Sequence, residues 1–176
     1  MRSKPAYWIS AAIYFTVVFF INSFAEEPPF QGQVNSDNIN IRSDSTERAE
    51  IICSLNKGMR LEVIQELYDW YKVRLPKFCP SYIKKNMVEC AKPKMPDYPL
   101  PGPAGGNICA SVKIIKERVN IRLNPDEASV IIGRANKNEI LSIVKEKGEW
   151  YGIEPAQDSF GWIHKKFIKR ISVTRQ

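Results

Sequence analysis

The chain has 176 residues, a formal net charge of +7, four cysteines and a single histidine. One histidine places any Cys-His or Ser-His-Asp chemistry on His164, and the 19 carboxylates are scattered without a paired, apolar setting, so the composition speaks against an enzyme. The positive balance suits acidic partners such as anionic polymers, lipid headgroups or nucleic acid, without choosing among them.

At the start, Arg2 and Lys4 precede an uncharged run from Ala6 to Ile21 that is rich in Ile, Val, Phe and Tyr. Ser23 and Ala25 are small residues placed for signal-peptidase cleavage before Glu26, so residues 1–25 read as a signal peptide. The run is also about long enough to span a bilayer, which makes an uncleaved membrane anchor the alternative. Cleavage would lower the formal charge to +5. The remainder is expected to be exported, which leaves nucleic acid the least fitting partner. A membrane partner is expected only if the segment stays uncleaved.

From residue 32 to residue 90 the chain reads as short strands. Ile39 and Ile41 alternate with polar neighbours, the period of a half-buried strand. Ile51 to Leu55 is a second run, Asn56-Lys57-Gly58 a turn, and Leu61 to Ile64 a third strand. Trp70-Tyr71-Lys72-Val73 follows, and Tyr82-Ile83 is a last short strand.

Residues 91–109 differ in kind. Ala91 to Ile108 contains five Pro and three Gly in 18 residues, a composition that builds no core and reads as an extended linker.

Residues 110–172 repeat the first unit. With an offset of 80, 14 of the 57 positions from Val34 to Cys90 are identical in the second copy, and no gap is needed. Asn40-Ile41-Arg42 falls on Asn120-Ile121-Arg122, and Trp70-Tyr71 on Trp150-Tyr151. Ile83 falls on Ile163 and Tyr82 on Trp162. Five or six short strands with tight turns and no helical period predict a small β-barrel for each copy. The second copy is the more basic, +3 over Ile114–Arg170 against +1 over Val34–Cys90.

Four cysteines allow three pairings, and disulfides are the expectation in an oxidising compartment. The positions suggest Cys53 with Cys79 inside one unit, and Cys90 with Cys109 across the linker. Their spacing fits no C-x-x-C metal or redox motif, so no metal is expected.

The aromatic residues are the best candidates for ligand contact: Trp70, Tyr71, Tyr82, Trp150, Tyr151 and Trp162. Neighbours in a strand face opposite sides, so one ring of each Trp-Tyr pair should be inside and one outside. An exposed ring can stack on a sugar or pack on a peptide. Lys165, Lys166, Lys169 and Arg170 could assist, and Arg42 and Arg122 either meet a ligand or brace a loop.

These residues together resemble a family, the bacterial SH3-like (SH3b) domain. The resemblance rests on Asn-Ile-Arg in both copies, Lys57-Gly58, Trp70-Tyr71-Lys72-Val73, Trp150-Tyr151-Gly152-Ile153 and Gly161-Trp162-Ile163. The first copy departs at Ser81-Tyr82-Ile83, where the family usually has Gly-Trp. The resemblance implies an all-β chain of two small SH3-like β-barrels in tandem. It also implies an exported binding module without chemistry or cofactor, in the periplasm or outside the cell, associated with the wall. The partner expected is peptidoglycan or its peptides. The alternative is a protein–protein adaptor of the cell envelope.

Overall fold

The computed structural model describes residues 28–91 and 109–171. The expected signal peptide, residues 1–25, and most of the Pro/Gly linker lie outside them. The described residues are almost entirely β-structure, as the resemblance implied, with two short 3₁₀ turns. None of their helices is long and apolar enough to cross a membrane.

Seven strands come from each copy. The first copy supplies β1 (Phe30–Val34), β2 (Ile39–Arg42), β3 (Ile51–Leu55), β4 (Arg60–Leu67), β5 (Trp70–Arg74), β6 (Tyr82–Lys84) and β7 (Val88–Cys90). The second supplies β8 (Ser111–Ile114), β9 (Val119–Arg122), β10 (Ile131–Ala135), β11 (Ile140–Lys147), β12 (Trp150–Ile153), β13 (Asp158–His164) and β14 (Ile168–Arg170). A 3₁₀ turn precedes each copy's last strand, at Lys85–Met87 and Lys165–Phe167.

Local chemistry sets the strands. β2 and β9 alternate buried and half-buried, which puts Ile39, Ile41, Val119 and Ile121 in the core. The turn before β4 needs a left-handed residue: Gly58 has φ 90°, and its counterpart Asn138 has φ 70°. Asn tolerates that region because its short amide can bond locally, so the second copy keeps the turn without glycine. β4 and β11 each carry a register shift against the next strand, at Val63/Gln65 and Ile143/Lys145.

The closing strands do something the repeat alone does not reveal. β6 leaves its own copy and pairs with β12, with Tyr151 opposite Ile83. β13 crosses the other way and pairs with β5, with Ile163 opposite Tyr71. The last strands follow: β7 pairs with β8 and β14 with β1. Each barrel is therefore built from both copies. One holds β1 to β5 with β13 and β14, and the other holds β8 to β12 with β6 and β7. This differs from the expectation of one barrel per continuous copy, and it welds the copies into one hydrogen-bonded sheet.

Ile83 and Ile163 are fully buried in the core of the opposite copy's barrel. Backbone bonds pin the crossing points: Leu75 N–H donates to the Ser159 carbonyl at 3.0 Å, and Ile153 N–H to the Ser81 carbonyl at 2.9 Å. Ion pairs repeat the symmetry, Lys165 with Glu66 and Lys85 with Glu146. The Glu146 carboxylate raises the pKa of Lys85 above its ordinary value.

Two disulfides form, Cys53–Cys79 and Cys90–Cys109, the pairing that the positions suggested. The first ties β3 to the segment that carries the chain across to the other barrel. The second copy has Gly133 and Ser159 at those two places. A Cβ on Gly133 would stand 2.4 Å from Ser159 Oγ and 2.6 Å from the Asp158 carbonyl, so only glycine permits this close approach of β10 and β13.

Candidate functional site

The exchange creates two equivalent grooves. In the first, β2 of one copy meets the end of β13 and the following 3₁₀ turn of the other. Asn40, Arg42, Glu47 and Trp70 line one side, and His164, Lys166 and Phe167 the other, around about 290 Å³. The second groove uses the residues 80 positions away: Asn120, Arg122, Glu127 and Trp150 face Lys84 and Met87 around about 410 Å³. Neither groove is complete in one copy.

Each groove has a tryptophan beside a braced arginine. Arg42 Nη1 donates to the Ala49 carbonyl at 2.9 Å, and Arg122 Nη1 to the Ser129 carbonyl at 2.7 Å. Both arginines hold the loop after the Asn-Ile-Arg strand. Trp70 is half-buried, with its ring 5.4 Å from His164, which is 6.1 Å from Phe167. Trp150 is only 9% exposed, so its groove offers a rim where the other offers an aromatic wall. The second groove adds a charge device. Lys84 pairs with Glu127 and lowers the pKa of that carboxyl below its ordinary value.

The six aromatic candidates are not one surface. Trp70 and Trp150 line separate grooves. Tyr71 and Tyr151 pack partly buried against the core, and Tyr71 meets Phe30 edge-on at 5.3 Å. Tyr82 is 6% exposed, with Lys145 Nζ 5.2 Å from its ring centre, so its ring is closed to a ligand here. Trp162 lies at the seam of the two copies, in a cleft of about 670 Å³ with Phe160, Lys72 and Arg134. The strict inside-outside alternation expected of each Trp-Tyr pair gives way to partial burial of both rings at β5, where His164 packs on Trp70 and Phe30 on Tyr71.

The basic residues divide as well. Lys165 is held by Glu66 and lies 5.5 Å from the Tyr71 ring centre. Lys166 lines the first groove. The Arg170 guanidinium sits 3.9 Å over Phe30, and Lys169 is exposed. His164, Phe167 and Met87 are groove residues that sequence reasoning missed. Their signal was the position at the end of each closing strand or in the turn after it, but it points to the wrong groove unless the exchange is known. Among the described residues no three His, Cys, Asp or Glu side chains gather to hold a metal ion.

A family model described as bacterial SH3 domain matches residues 37–77 and 117–169, one segment in each copy. The chain is also 25% identical over 126 residues to a protein of Bacillus subtilis (strain 168) named "Putative N-acetylmuramoyl-L-alanine amidase YrvJ". That alignment covers 70% of this chain and 23% of the relative, so the chain spans about a quarter of the protein it resembles.

Proposed function

This chain belongs to the bacterial SH3 domain family, and from that premise we propose that it is an exported, non-enzymatic binding protein for cell-wall peptidoglycan. One observation carries the reading: a Trp-Arg groove is built twice, at equivalent places, in one hydrogen-bonded sheet. Trp70 supplies apolar ring surface for a sugar face or a peptide, Trp150 a narrower rim, and the polar Asn and Arg side chains beside them supply hydrogen bonds. Two grooves on one body raise the effective concentration of the second contact once the first is made on a polymer. The relative named as an amidase of the N-acetylmuramoyl-L-alanine bond supports a wall ligand. The reading gives the chain attachment and no bond cleavage.

The test is co-sedimentation of the purified protein with peptidoglycan sacculi, beside Trp70→Ala and a turbidity assay for wall hydrolysis. Expected are pelleting of the wild type, at least about tenfold weaker pelleting of a folded Trp70→Ala variant, and constant turbidity. A wild type that stays in the supernatant at moderate salt rejects the wall reading and points to the envelope adaptor. Falling turbidity rejects the non-enzymatic one.

A further inference from the structure

The seam cleft is a different object from the twin grooves. It exists because β13 carries Phe160 and Trp162 across to β5, where Trp162 stands opposite Lys72. Lys72 Nζ lies 5.0 Å from the Phe160 ring centre and 5.8 Å from that of Trp162. Arg118 and Arg134 reach the cleft from the second copy, and Asp158 is its one carboxylate. Three cations against one anion leave a net positive lining. None of the three cations has a carboxylate within 4.0 Å among the described residues.

Internal comparison separates this set from the needs of the fold. The other copy has matching strands, though its β6 has three residues against seven in β13, and the counterparts of Lys72, Arg118 and Arg134 are Gly152, Asn38 and Ser54. Asp158, Phe160 and Trp162 correspond to Phe78, Pro80 and Tyr82. The other barrel thus closes without any of these charges, with the Cys53–Cys79 disulfide at the corresponding place. Gathering them on one side leaves three cations without an ion-pair partner among the described residues, beside two aromatic rings.

We propose that this seam cleft is a third binding site, and that it takes an acidic sugar: a ring for the Trp162 and Phe160 faces and a carboxylate for Lys72 and Arg134. Aromatic faces suit the C–H face of a sugar ring, and an arginine fork suits a carboxylate through paired N–H bonds. The proposal rests on the wall reading for the source of that sugar: muramic acid whose carboxyl is free, as hydrolysis of the N-acetylmuramoyl-L-alanine amide leaves it, since the intact amide carries no carboxylate there. It adds a subsite that selects the acidic sugar from its neutral neighbour.

The test uses N-acetylmuramic acid and N-acetylglucosamine, which share a ring and differ by a carboxylate-bearing side arm. Each is titrated into the full chain while the indole N–H signal of Trp162, assigned through Trp162→Phe, is followed by NMR. The acidic sugar is expected to move that signal at concentrations at least about tenfold below the neutral one. Arg134→Gln and Lys72→Gln, confirmed folded by thermal melts, are each expected to weaken it about tenfold, and Lys57→Gln, at an exposed lysine outside the cleft, to leave it unchanged. Equal response to both sugars, or to inorganic phosphate alone, overturns the proposal. Sacculi that bind while N-acetylmuramic acid does not move Trp162 overturn the seam site and leave the wall reading standing. The converse result rejects the wall reading and keeps the cleft as a site for a free acidic sugar.

Discussion

Trp70 and His164 belong to different copies of the repeat, yet they are paired across β5 and β13 with their rings 5.4 Å apart. That contact is possible only because the closing strands change places. It makes the first groove a joint property of both copies, and it makes the exchange measurable.

Ile163→Ala should be felt in the first copy. Ile163 is fully buried opposite Tyr71, so truncation is expected to cost about 2–5 kcal/mol of stability. Amide chemical shifts should change most at Tyr71 and Val73. Changes centred instead on Trp150–Ile153 would show that β13 closes its own barrel.

The Cys53–Cys79 bridge spans 26 residues, worth about 3.5 kcal/mol in the chain-entropy model. The Cys53→Ala, Cys79→Ala double variant should lose stability of that order in urea melts. The equivalent bridge should not be installable without a backbone shift: in Gly133→Cys with Ser159→Cys the new Cβ at 133 still meets the Asp158 carbonyl at 2.6 Å, so a lowered Tm is expected. Gly133→Ala alone should destabilise by about 1–3 kcal/mol, because its Cβ meets Ser159 and the Asp158 carbonyl. A neutral Gly133→Ala would contradict the tight β10–β13 contact.

Arg42→Ala and Arg122→Ala each remove a bond from a charged donor to a loop carbonyl. A loss of about 1.5–3 kcal/mol is expected, and Lys should not restore it, since a single ammonium cannot copy the guanidinium fork. Chemical denaturation of the four variants decides. Full rescue by Lys would mean that only the charge matters.

Glu127 gives a pH signature. Its folded pKa lies below the ordinary 4.5, through its hydrogen bond to Lys84 and the lysine's charge. A depressed carboxyl stabilises above its unfolded pKa and loses that contribution as pH falls through the folded value. The Tm difference between wild type and Glu127→Gln should therefore be present near neutral pH and vanish on acidification below 4.5. A difference that grows in acid would reverse the assigned sign.

The duplication, the β-class, most strand positions and the family are legible in the residues alone. Each follows from a local pattern: the alternation around Ile39 and Ile41, the turn at Asn56-Lys57-Gly58, and a register of 80 that carries Trp70-Tyr71 onto Trp150-Tyr151. The spacing of the cysteines already suggested both disulfides. Which copy closes which barrel is visible only in the folded chain. Ile83 and Ile163 are the same residue in the same pattern, so either strand satisfies either core equally, and hydrophobic periodicity is blind to the choice. That choice also decides the sites. It brings His164 to Trp70, carries Trp162 to Lys72, and buries Tyr82 in the opposite barrel, because side chains far apart in sequence become neighbours only where the strands cross.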